Sequence, residues 1–227
     1  RSIDPIYINQ DLATPFASVE ASEVGVSYAR GVGDVELMAR SVFFRTHVDR
    51  DLIFSETAGR ATLANGTTRT GWVGAVRATG AWFDQAANLT LVRSTFDDTN
   101  LLVPYVPDVV VRSDSAIHHE LPWRPGQEPL SGALAAGVTY VGRRALPFGQ
   151  RSDVIVTVDA SASLAWRNLE VALVATNLLD RRYRLSEFNY ASDFRGESQP
   201  SLVPGRHFSA GAPRGVFVTL TATLGGP

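Results

Sequence analysis

From residue 154 to residue 166 the sequence alternates without a break. Val154, Val156, Val158, Ala160, Ala162, Leu164 and Trp166 fall on one side of an extended chain, and Ile155, Thr157, Asp159, Ser161, Ser163 and Ala165 fall on the other. A strand in a globular sheet runs to roughly five or six residues, so this one is long and carries an almost wholly apolar face. It has the length and the face of a segment that crosses a bilayer at a tilt. The end of the chain repeats the pattern. Val216, Val218, Leu220, Ala222 and Leu224 share one face, while Phe217, Thr219, Thr221 and Thr223 share the other.

Composition alone does not choose between water and lipid. Hydrophobic residues make up 44% of the 227, charged residues 19%, and the mean hydropathy is -0.01, as in a soluble domain or a membrane barrel. No run reaches the length of about eighteen apolar residues that a membrane helix needs, so a membrane reading rests on strands. With no cysteine there is neither a disulfide framework nor a thiolate metal site. A net charge of -2 argues against nucleic acid as a partner. The chain opens at Arg1 without a Met or the regions of a signal peptide, and the expectation is a piece of a longer protein.

Period-two alternation between turn signals predicts nine strands and no helix. They fall at about 19–30, 35–50, 68–79, 87–97, 108–121, 132–143, 154–166, 169–177 and 215–224. The first two read as a long hairpin turned at Gly31-Val32-Gly33-Asp34. The fifth places Arg112, Asp114, His118 and Glu120 on one face, which therefore is not a dry core. No proline falls inside a clear strand; Pro104, Pro107, Pro122, Pro125, Pro147, Pro200, Pro204 and Pro213 all lie between strands.

The connections alternate as well. Short links at about 31–34, 80–86 and 167–168 interleave with longer polar ones at 51–66, 98–107, 144–152 and 183–213, and only 122–131 is longer than the pattern asks. Outer-membrane barrels show this asymmetry, with their long loops outside the cell. An odd number of strands leaves open edges, which a membrane does not tolerate, so further strands are expected from elsewhere.

Five stretches carry a family resemblance. The run Asn177-Leu178-Leu179-Asp180-Arg181-Arg182-Tyr183, the loop ending in Pro204-Gly205-Arg206, and the terminal block from Gly211 to Leu220 resemble the C-terminal end of TonB-dependent outer-membrane receptors. Ser22-Glu23-Val24-Gly25-Val26-Ser27-Tyr28 is similar to a Glu-x-Gly-x-x-Tyr strand of the same family, and Val106-Pro107 stands where such barrels often open a strand. The resemblance implies an all-β, antiparallel transmembrane barrel. Residues 1–227 would form its C-terminal part, about nine strands of a barrel that closes with about 22. No plug domain and no TonB-engaging segment can be recognised in these residues. For the intact protein it implies TonB-energised import of a scarce ligand such as a ferric siderophore, a cobalamin or a glycan. The implied partners are the TonB complex, a plug domain, membrane lipid and lipopolysaccharide. The implied location is the Gram-negative outer membrane. The family usually ends in an aromatic residue where this chain has Leu224.

No catalytic, cofactor-binding or metal residue is assigned. His118 and His119 are neighbours on a strand and point to opposite faces, so they do not share a ligand; His47 and His207 are the other imidazoles. The carboxylate pairs Asp97 with Asp98, Asp49 with Asp51, and Asp180 with Glu187 lack the spacing of a calcium loop. No nucleophile-elbow pattern frames any serine. Tyr105, Phe148, Phe188, Tyr190, Phe194 and Phe208 are interleaved with Arg143, Arg144, Arg151, Arg195 and Arg206, a loop composition suited either to stacking on an anionic planar ligand or to an interfacial belt. Arg181, Arg182 and Arg184 read as a charged strand end. Two rivals stay open: a passive porin or barrel enzyme, and a soluble β-sandwich binding module whose apolar faces would pack on each other.

Overall fold

The computed structural model describes residues 17–55, 60–191 and 203–224. Nine strands form one antiparallel sheet: β1 (Val19–Val32), β2 (Val35–Val48), β5 (Thr67–Thr79), β6 (Phe83–Phe96), β7 (Val109–Leu121), β8 (Leu130–Val141), β9 (Ile155–Trp166), β10 (Leu169–Thr176) and β13 (Gly215–Ala222). They lie side by side in that order, and these are the nine strands anticipated from alternation. Two hairpins, β3 (Leu52–Ser55) with β4 (Arg60–Leu63) and β11 (Arg184–Ala191) with β12 (Pro204–Ala210), stand apart from the sheet within long connections. The sequence reading had both as loop.

Boundaries move where backbone conformation decides them. The fourth expected strand begins earlier, at Phe83, because the turn before it is tight: the Gly80 N–H bonds back to the Phe83 carbonyl at 2.8 Å. The eighth stops at Thr176, because Asn177 turns into the left-handed region with φ 48°. At the first hairpin Gly33 holds φ 59°, which the glycine accepts without a Cβ penalty.

Register makes the two faces continuous across the sheet, since residues paired directly opposite share a face. One row runs Ile117, Leu134, Ala162, Leu173 and Val218 from β7 to β13. The next residues along the strands give the row His118, Ala133, Ser163, Ala172 and Thr219 on the other side. One face is thus mostly apolar and the other mostly polar, with Gln85, Ser113 and Ser115 hydrogen-bonded together on the mostly apolar side. The apolar side chains stay uncovered: Val24 is 71% exposed, Val218 73% and Leu220 70%. Among the described residues only Val48, Val103, Leu130, Leu146 and Ile155 are buried apolar side chains. A sandwich would need a second layer over this face, and all nine long strands lie in a single sheet, so the sandwich reading fails.

The connections divide by end. At one end are the links 33–34, 80–82, 122–129 and 167–168; at the other are 49–66, 97–108, 142–154 and 177–214. The link expected to break the pattern, 122–129, holds a 3₁₀ turn at Pro125–Gln127, and the Trp166 indole donates to the Pro125 carbonyl at 3.1 Å. At the short-link end the rings of Trp82 and Phe83 lie 4.9 Å apart between centroids. On the apolar face of β9 the distance from Val156 to Trp166 is ~33 Å along the strand, or ~25 Å across a layer that the strand crosses at ~40°.

Candidate functional site

The long-link end is a packed layer of three connections. The β11–β12 hairpin lies on the 142–154 connection, because its buried positions carry hydrogen-bonding groups. Glu187 is 1% exposed, and its carboxylate accepts the Asp153 N–H at 2.6 Å. The same carboxylate pairs with Arg184 at 3.0 Å and Arg206 at 3.4 Å. A carboxylate so enclosed stays ionised only with such partners, so Glu187 fixes where the hairpin docks. Asn189, 4% exposed, donates to the Pro147 carbonyl at 2.9 Å, and the Arg144 guanidinium donates to the Leu185 carbonyl at 3.1 and 3.2 Å. The third connection joins through the Tyr105 N–H, which donates to the Ala145 carbonyl at 2.9 Å, and through ring contact of Tyr105 with Phe188 at 5.6 Å.

The aromatic and basic residues singled out in sequence are mostly used inside this layer. Tyr190 stacks on His207 at 4.0 Å between centroids, and the Arg184 guanidinium lies 4.7 Å from the centre of Phe208. Arg206 also donates to the Arg151 carbonyl at 3.0 Å. Phe148 remains outside at 59% exposure, on a tip where it takes φ 60° beside Gly149 at φ 70°, and Arg143 and Arg151 of the same connection are exposed. Phe208 is 56% exposed as well. Phe194 and Arg195 lie outside the described residues.

The carboxylate pairs serve separate local roles. Asp51 accepts from Thr67 Oγ1 at 2.7 Å and from Arg69 Nη2 at 2.5 Å, while Asp49 caps the Ser18 N–H at 2.7 Å. Asp97 accepts from Thr68 Oγ1 at 2.7 Å and faces His47 at 3.2 Å; Asp98 accepts from Asn65 at 3.1 Å. Asp180 and Glu187 are not brought together: Asp180 faces the Arg214 N–H at 3.4 Å. Among the described residues no three His, Cys, Asp or Glu side chains gather as a metal site.

Asn177 explains why the Asn-Leu-Leu-Asp run has the form it does. Its side chain, on a residue 3% exposed, donates to the Arg181 carbonyl at 2.9 Å and the Ala212 carbonyl at 3.1 Å, and accepts the Arg181 N–H at 3.0 Å. One amide thereby closes the turn and ties it to the start of β13. Asn177→Ala is expected to cost about 2–4 kcal/mol, from buried carbonyls left unpaired and a side chain less suited to positive φ. Asn177→Gly is expected to recover about 1 kcal/mol of that by easing the backbone alone. Unfolding midpoints in detergent or vesicles check both.

The polar face carries its own network. The Arg112 guanidinium donates from Nε to Asp114 at 2.8 Å, from Nη2 to the other oxygen of the same carboxylate, and from Nη1 to Thr139 at 2.7 Å and Asp159 at 3.2 Å. Asp159 in turn accepts the Asn177 N–H at 3.0 Å, so the network crosses β7 to β10. Gly137 makes room for it, since a Cβ there would strike the Arg112 guanidinium and the Asp114 carboxylate. As expected, His118 and His119 diverge: His118 points to this face, 3.8 Å from Asp84, while His119 pairs opposite Gly132 on the apolar one. The sequence indicated the charged face but not Asp159 as a partner.

No protein-family model and no curated protein matches the sequence. Among solved structures, the ferric yersiniabactin uptake receptor of Yersinia pestis is similar over 90% of this chain, with a TM-score of 0.61 and 20% identity. The ferric-catecholate import receptor of E. coli K12 is similar over the same share, with a TM-score of 0.55 and 18% identity. The chain spans 30% of the first receptor and 27% of the second. Both are TonB-dependent receptors. The single sheet, its two-faced strands and its division into short-link and long-link ends are therefore similar in fold to part of a TonB-dependent receptor barrel.

Proposed function

We propose that this chain forms the C-terminal part of the barrel of an outer-membrane importer, a wall around a plugged lumen, and that the intact protein takes up a scarce ligand with energy transmitted by TonB. The observation that carries this reading is the pairing of a largely apolar face with long connections locked together at one end only. The apolar face meets lipid and the polar face, with Arg112, Asp114 and Asp159, meets the lumen and a plug domain. The long-link end faces the outside of the cell, where Phe148, Arg143 and Arg151 present one ring and two guanidinium groups. That chemistry suits an anionic planar ligand, such as a ferric chelate with aromatic ligand groups. The edges β1 and β13 leave backbone groups unpaired, and in a membrane these pair with barrel strands outside this sheet.

Uptake of labelled ferric siderophores, cobalamin and glycans by cells with and without the gene, each with and without TonB, tests the proposal. Loss of one uptake activity in both deletions supports it. Uptake that needs the gene but not TonB identifies a passive porin instead, and hydrolysis of a panel substrate by the purified protein identifies a barrel enzyme.

A further inference from the structure

The apolar face is not uniformly filled. Across β7 to β10 a hollow of about 790 Å³ opens between Ile117, Leu134, Leu164 and Leu173, where Gly132 and Ala162 supply little or no side chain. The nearest atoms to a Cβ at Gly132 would be those of Leu121, at 3.5 Å or more, so a larger side chain there meets no backbone at close range. A second hollow of about 510 Å³ shares Ile117, Leu134, Ala162 and Leu173 and runs on to Ser115 and Ala136. From Ser115 to Leu121 the groove is ~20 Å long along the strand. At a tilt of ~40° that is ~15 Å across the membrane, half of a ~30 Å hydrocarbon core.

Length, chemistry and position select the occupant. Water gains too few hydrogen bonds in so apolar a groove to stay there, and walls without contact partners lose dispersion energy. The groove is half a bilayer long, and its mouth lies at the short-link end. Trp82 stands there, and so does His119, exposed on the apolar side two residues before the end of β7. We propose that the groove holds one acyl chain of a phospholipid from the leaflet at the short-link end, with His119 beside its phosphate. This rests on the reading of the apolar face as membrane-facing.

The test uses the intact receptor that carries this chain, reconstituted in vesicles of phosphatidylethanolamine and phosphatidylglycerol with a photoreactive diazirine on the acyl chain. After illumination, adducts mapped by mass spectrometry are expected to be several-fold denser on Ile117, Leu134 and Leu164 than on the apolar residues of β1 and β2. The double variant Gly132→Leu with Ala162→Leu, which fills the groove, is expected to bring them down to the level of β1 and β2. Even labelling of the whole apolar face in the unsubstituted receptor overturns the groove proposal and leaves the membrane reading standing. Labelling of no apolar-face residue overturns both. Because the first comparison needs no variant, a folding defect in the double substitution does not protect the proposal.

Discussion

Leu173→Arg is expected to destabilise the barrel by about 2–4 kcal/mol, whereas Ala172→Arg, one residue away, is expected to change stability by about 0.5 kcal/mol or less. Leu173 pairs with Ala162 and Val218 on the apolar face, in the middle of the membrane layer, and Ala172 pairs with Ser163 and Thr219 on the polar one. Leu173 is already 47% exposed without lipid, so in a water-soluble sheet an arginine there would cost little. The size of the difference between neighbours thus reports the solvent of each face. Unfolding in vesicles, followed by tryptophan emission or by the migration of unheated samples, measures it. Equal effects would remove the basis for placing this face in lipid.

Glu187→Ala is expected to release the β11–β12 hairpin while the nine-stranded sheet stays folded. The substitution leaves Arg184 and Arg206 side by side, with the exposed Asp153 at 3.3 and 3.5 Å from them, and it removes the acceptor of the Asp153 N–H. Each charge-assisted hydrogen bond lost with the buried carboxylate costs about 1.5–3 kcal/mol, enough to open a rim hairpin locally. Trypsin cleavage after Arg184 or Arg206 in whole cells should rise steeply, with unfolding of the sheet unchanged. Glu187→Gln keeps one hydrogen bond but no charge, and an intermediate cleavage rate is expected. Unchanged protection in Glu187→Ala would mean that the hairpin is held by its aromatic contacts instead.

What could be read from the sequence follows from the kind of regularity each element has. The nine long strands show themselves because lipid on one side and water on the other impose period two over a length that noise does not imitate, as in 154–166. The rim hairpins do not. In β11 the enclosed positions are Glu187 and Asn189, so the face that packs is polar and reads as loop. The charged face of β7 was visible, but its partner Asp159 lies two strands away in the sheet, and only register brings it to Arg112. The aromatic residues of the long connections were legible as a group. Their division into rings in contact and the exposed Phe148 and Phe208 depends on how the connections pack, which no local pattern records.

The most direct test of the account is the solvent of each residue along β10. The chain has no cysteine, so single cysteines at positions 169 to 176 can each carry a spin label in a cysteine-free form of the intact receptor in lipid vesicles. Collision rates with oxygen, which concentrates in lipid, and with a water-soluble nickel complex then report the two faces separately. The account predicts oscillation with a period of two, with oxygen access highest at Leu169, Val171, Leu173 and Ala175 and low at Glu170, Ala172 and Val174. Oxygen access without that period, or nickel access equal on both faces, would contradict the placement of this sheet as a membrane barrel wall.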